Sequence, residues 1–224
     1  MKLLPINRKE VLRYLRYGDH TPDSSTASLI DSCEEELINR IEPHYVYRIF
    51  DISRNSDGTV TPDGADIVFE GNDIISHLEG CSKLIMMCCT LTHEADRMIR
   101  IAGITDKAKA LIYDALANAA AEQVCDRVQE IISEEYPGFY QTSRFSPGYG
   151  DFPLKTQEQF LNVLEASRRT GVSLNTGYLM TPMKSVTAVA GLSEEELPAK
   201  RTGCISCKNK ETCEFRKAGM YCGY

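Results

Sequence analysis

Apolar residues recur along this chain in two rhythms, one helical and one alternating or continuous, and the switches between them mark its elements. Asn7 is placed to cap a helix with Val11, Leu12 and Leu15 on one face, ending near Gly18. A second amphipathic helix is predicted over 24–41, where Ile30, Cys33, Leu37 and Ile41 recur at helical spacing, and Pro43 ends it. The β-branched and aromatic run 45–52 reads as a strand closed by a turn at 55–58, and 65–70 reads as another strand. A short helix follows at 73–78. Residues 83–92 are almost continuously apolar, as in a strand covered on both faces. Helices are expected over 92–102 and 106–135. The second carries Ala110, Leu111, Leu116, Ala120, Val124, Val128, Ile131 and Ile132 inward, and its many alanines allow neighbours to approach closely. Thr156 to Gln159 form a capping-box pattern for a helix running to Arg169, before Gly171. Strands are expected over 173–180 and 184–190, joined hairpin-like across Pro182. A second capping box at 193–196 predicts a short helix limited by Pro198.

These elements describe an α/β (α+β) protein with a central, twisted, mainly antiparallel sheet flanked by helices, followed by a small Cys-rich C-terminal tail. The expected division is 1–197, with 1–44 its helical N-terminal part, and 198–224 as the tail.

Composition narrows the function. A hydrophobic share of 42% and a charged share of 25% are ordinary for a globular protein, and 224 residues can bury a sizeable core. A formal charge of −7 and the lack of a basic stripe oppose a nucleic-acid partner. The N-terminal apolar run is too short for a signal peptide, and no window approaches the ~20 apolar residues of a spanning helix, so a cytoplasmic protein with no membrane partner is expected.

Of nine cysteines, Cys33, Cys81, Cys88, Cys89 and Cys125 fall in apolar-patterned segments, where a free thiol behaves as a small hydrophobe. Cys204, Cys207, Cys213 and Cys222 form the pattern C-x2-C-x5-C-x8-C. In a reducing compartment that density reads as a metal site, for zinc or a [4Fe-4S] cluster, with free or redox-labile thiols as the alternative. The spacing does not separate zinc from iron–sulfur.

The candidate ligand site is the loop Arg144-Phe-Ser-Pro-Gly-Tyr-Gly-Asp151. Pro147 fixes φ and lacks an amide proton, while Gly148 and Gly150 tolerate backbone angles that other residues avoid, so the loop can present peptide groups to a ligand. Arg144 adds a planar cation suited to a carboxylate or phosphate, and Phe145 and Tyr149 add flat apolar faces. The alternative is an ordinary Pro-Gly turn beside a surface arginine.

This loop, the Ala-rich helix before it and the Leu-Met-Thr-Pro-Met-Lys-Ser-Val run at 179–186 resemble the reactivation domain of cobalamin-dependent methionine synthase, in a stand-alone form, over roughly residues 45–192. In that family an Arg-x-x-Pro-Gly-Tyr loop binds S-adenosylmethionine. The resemblance implies that Arg144 holds the methionine carboxylate and that Ser146, Pro147, Gly148 and Tyr149 lie along the adenosine. Glu122 and Asp151 are available acids that the resemblance does not fix. Asn118 stands where the family often has an acid. The family's Trp-Tyr-Phe run is missing after Ser185-Val-Thr-Ala, which leaves Tyr178 as the nearest aromatic or simply a strand residue. His77 and Gly80 imitate part of a cobalamin-binding motif, but Ile75 replaces its Asp.

The implied function is a reactivation component of a cobalamin-dependent methyltransferase, with the chemistry in the cofactors and no protein acid, base or nucleophile required. The implied partners are a cobalamin-carrying methionine synthase subunit and an electron donor such as flavodoxin or ferredoxin. Two rival readings are an iron–sulfur electron-transfer accessory protein for a corrinoid enzyme and a zinc-tailed interaction module.

Overall fold

The computed structural model describes residues 5–17, 20–197 and 211–212. The tail cysteines Cys204, Cys207, Cys213 and Cys222 lie outside the described residues.

The centre is the run of apolar residues that forms β3, Lys83–Thr90, buried along almost its whole length. On one side it pairs with β1, His44–Arg54, in register from His44↔Thr90 to Asp51↔Lys83. On the other it pairs with the last long strand, Ser185–Ser193, from Thr90↔Ser185 to Lys83↔Leu192. With β2 (Val60–Pro62), β4 (Tyr140–Gln141), the small hairpin strands β5 (Ser173–Leu174) and β6 (Met180–Thr181), and the last strand as β7, the main sheet has the order β2-β1-β3-β7-β4. All its pairings are antiparallel.

Side chains of β3 alternate between two cores, as the pleat requires. Ile85, Met87 and Cys89 face the layer built from α1 (Arg8–Tyr14), α2 (Ser24–Ile38), α4 (Thr92–Thr105) and α5 (Lys107–Glu135). Leu84, Met86 and Cys88 face the other layer, with Ile74 of α3 (Asn72–His77), Phe160 of α6 (Thr156–Val163) and Ala166 of α7 (Ala166–Thr170). The sheet is thus covered on both faces by helices.

The 29-residue α5 lies where the alanine pattern places it, although Leu111, expected to face inward, is 68% exposed. Asp106 caps it by accepting from the Ala108 and Lys109 amides, and Ala115, Ala117, Ala119 and Ala120 are buried. Asn7 and Asp23 cap α1 and α2 in the same way. No helix among the described residues is long and apolar enough to cross a membrane.

Four local expectations are corrected. Residues 65–70 do not form a ladder strand: Ile67 and Phe69 are buried and Val68 exposed, but the segment makes only the bridge Val60↔Phe69. The helix expected over 156–169 is two helices, because Glu165 takes a left-handed conformation (φ 51°), and Lys155 rather than Thr156 occupies the cap position without a side-chain bond. The stretch 173–180 folds on itself through a turn in which Asn175 O accepts from Tyr178 N, so the hairpin closes there and not at Pro182, which follows a cis bond. Residues 193–196 form no helix: Ser193 ends β7, and its hydroxyl accepts from Glu195 N at 3.2 Å.

Candidate ligand-binding site

The 144–151 loop leaves the sheet edge at Phe145, whose amide and carbonyl exchange 2.8 Å bonds with Val189 of β7. Tyr149 N donates to Ser146 O at 3.0 Å, Gly148 N to Phe152 O at 2.9 Å and Phe152 N to Tyr149 O at 2.9 Å, so two tight turns follow one another. Pro147 is buried; Ser146 and Tyr149 are half-buried, and Gly148 is exposed. Phe145 does not face outward beside the donors. It packs among His77 at 5.2 Å, Tyr149 at 6.0 Å and Phe152 at 6.3 Å between ring centroids.

Arg144 turns away from bulk water towards α5. Its guanidinium donates to Glu122 and Asp126 at 2.7 Å each and to Gln129 Oε1 at 2.6 Å. Its side chain is 19% exposed. Burial alone would weaken this cation. The negative groups around it, Cys125 when ionised and then Asp126 and Glu122, reverse that and raise its pKa. Asp126 and Gln129 escaped the sequence reading. The available signal was periodicity: Asp126 follows Glu122 by four residues and Gln129 follows by three more, on one face of a helix.

Asn118 lies one turn before Glu122 but belongs to a different cluster. Its Oδ1 and Asp114 Oδ1 each accept from Lys184 Nζ at 2.7 Å, and its Nδ2 donates to Asp114 at 3.2 Å. α5 therefore carries a polar stripe, Asp114, Asn118, Glu122 and Asp126, held by Lys184 at one end and Arg144 at the other. Tyr178 sits in the turn between β5 and β6 at φ 60°, 38% exposed, with no described contact to the loop. His77 is buried, and its Nε2 lies 2.8 Å from Ser143 O, so that nitrogen carries the proton and the ring serves the chain leading into the loop. Two surface concavities lie elsewhere, around α6 and α7, lined by residues such as Arg48, Asn162 and Arg168. Among the described residues no three His, Cys, Asp or Glu side chains converge as a metal site.

Comparison with known proteins bears on the fold and the family. The family described as "Vitamin B12 dependent methionine synthase, activation domain" matches residues 72–197, more than half of the chain. A solved structure titled "Crystal Structure of the MetH Reactivation Domain bound to AdoHcy" superposes with a TM-score of 0.64 at 15% identity, covering 96% of this chain and 82% of that one. Its coverage takes in most of the helical N-terminal part, which the sequence resemblance did not reach. Among curated proteins no sequence match is found.

Proposed function

The chain belongs to the family of vitamin B12-dependent methionine synthase activation domains, and we propose that it binds S-adenosylmethionine at the 144–149 loop and presents the methyl group to cobalamin held by a partner module. The observation that carries this reading is the charge arrangement at Arg144. One guanidinium is held by two carboxylates, so the cluster has an excess negative charge. S-adenosylmethionine bears a sulfonium, an ammonium and a carboxylate, for a net positive charge. Its carboxylate takes a place on Arg144, and the displaced acid, Glu122 or Asp126, faces the ligand's cationic groups. The solved MetH reactivation domain with this fold is bound to AdoHcy, which supports a ligand of this class.

The rest of the site follows from what is already committed. The amides of Gly148, Tyr149 and Phe152 are used inside the loop. Recognition of the adenosine therefore falls to carbonyl groups, to Ser146 and Pro147, and to the Tyr149 ring. Asn118, held by Lys184, closes the stripe at the far side of Glu122. Tyr178 completes the site only if its hairpin moves over the ligand.

Cobalamin held by the partner module would supply the methyl acceptor, and a separate donor of the flavodoxin or ferredoxin kind would supply the one electron that its reduction needs. This chain's residues bind and orient the sulfonium compound, and no proton has to move.

Calorimetric titration with S-adenosylmethionine tests the reading. The unmutated chain should bind, and Arg144→Ala should lose about 2 kcal/mol, the scale of a charged hydrogen bond. Arg144→Lys keeps the charge without the paired donors and should fall between them. Equal affinity in all three would remove Arg144 from the site.

The four tail cysteines carry a second element of the proposal. The family match ends at residue 197, which supports a boundary there. Residues 198–224 then form a separate metal-holding unit on Cys204, Cys207, Cys213 and Cys222. Elemental analysis of the full chain should return about one zinc per four thiolates, or iron with visible absorption if the group is a [4Fe-4S] cluster. Replacing Cys204 and Cys207 with Ala should abolish either signal; metal content unchanged by that replacement refutes the assignment.

A further inference from the structure

The 144–151 loop is tied to a segment 78 residues earlier by a two-way bond between carboxylates and amides. Asp151 Oδ2 accepts from Asn72 N at 2.9 Å and from Asn72 Nδ2 at 3.4 Å, and Asp151 Oδ1 accepts from Asp73 N at 2.9 Å. In return, Asp73 Oδ2 accepts from Asp151 N at 3.0 Å. Each acid caps the backbone that carries the other, and the shared amide protons offset the repulsion of two neighbouring carboxylates.

The approach is close enough to require glycine on both strands of the clasp. Gly71 has φ 115°, and a Cβ there would lie 2.8 Å from Asp151 O. Gly150 has φ 54°, and a Cβ there would run into Asp73 Oδ2. Both positions lie in the left-handed range that side chains disfavour. At its other end α3 holds the chain entering the loop, through His77 on Ser143 O and the His77 ring against Phe145. The loop is thus gripped by one short helix just before Arg144 and just after Tyr149.

We infer that Asp73 and Asp151 are positioning residues, whose reciprocal clasp holds the 144–149 loop in its ligand-binding shape without touching the ligand. The inference rests on the S-adenosylmethionine reading above. Its physical basis is preorganisation: a loop already ordered loses little conformational entropy when the ligand arrives, whereas a released loop must be ordered at the expense of affinity.

The full-length protein is compared with Asp73→Ala, Asp73→Asn and Asp151→Ala. Asp73→Asn keeps an acceptor oxygen for the single Asp151 amide and is the rescue variant. In amide hydrogen exchange without ligand, Asp73→Ala and Asp151→Ala should speed exchange across 71–74 and 145–152 by about tenfold, while β3 and α5 keep their protection. In titration with S-adenosylmethionine both alanine variants should bind about tenfold more weakly, with Asp73→Asn within about twofold of the unmutated chain. Urea unfolding identifies any loss that is merely global. Full affinity in Asp73→Ala, whatever its exchange, overturns the inference and leaves the ligand reading standing. Failure of the unmutated chain to bind overturns the ligand reading, and the inference with it.

Discussion

Tyr113 is 4% exposed in α5, and its hydroxyl donates to Glu36 on α2, so one side chain both fills the helical core and bonds its rim. That bond holds the Glu36 carboxyl below its usual value of 4.5, while burial, followed by the same bond, raises the Tyr113 hydroxyl above 10.0. The signs decide the pH window. A depressed carboxyl contributes stability that is present above its unfolded value and is lost as pH falls through the folded one. A raised phenol contributes stability that is complete below its unfolded value and is lost as pH rises through the folded one. Tyr113→Phe should therefore cost about 1 kcal/mol at neutral pH. The gap between the two proteins should be narrower in acid, once pH has fallen through the lowered value of Glu36 and its carboxyl, now protonated, accepts weakly, than at neutral pH. Urea titrations at the two pH values measure it, and a gap independent of pH would mean that packing, not the bond to Glu36, sets the cost.

At the scale of elements, β7 shows how local constraint and site geometry meet. Gly191 pairs with Leu84, donates to Thr142 Oγ1 at 2.8 Å, and leaves no room for a Cβ beside Cys81 Sγ. Gly191→Ala should destabilise the protein by about 2 kcal/mol through overpacking. Adding Cys81→Ala should recover part of that loss, because the sulfur is the nearest obstacle. Two penalties that simply add, measured by thermal unfolding, would contradict the steric account.

The same scale shows what was legible in the sequence. β3 and α5 were legible because a continuous apolar run and a long alanine-rich helical pattern each leave one structural solution. Residues 65–70 misled because Ile67 and Phe69 are buried by one-sided packing, which produces the same alternation as a strand without its ladder. Nothing local announces the reversal at Glu165. In the candidate site, Arg144 was legible from the loop chemistry and the family resemblance, and Glu122 only as an available acid. Their mutual bond, the addition of Asp126, and the Asp73–Asp151 clasp depend on where the fold brings distant segments together, which periodicity does not encode.

For the whole molecule, the decisive feature is that a single strand serves two cores. Met86 and Met87 are adjacent in β3 and wholly buried, yet Met86 belongs to the core that contains Phe152 and Phe160 while Met87 belongs to the one that contains Leu116 and Val124. If the two layers were independent, removing Met86 would loosen the α6–α7 side and leave the helical layer intact. The shared backbone argues otherwise: β3 is bonded to β1 and β7 along its whole length, so neither core can open without breaking pairs that the other needs. Met86→Ala and Met87→Ala should each cost about 3 kcal/mol. Each variant should still unfold in one transition, with far-UV circular dichroism and tyrosine fluorescence coinciding; the chain's 11 tyrosines and lack of tryptophan make the second probe clean. Divergent transitions in Met86→Ala alone would show that the layer carrying α3 and the 144–151 loop can open separately. Such an opening would expose the candidate site to local unfolding that the helical layer does not share.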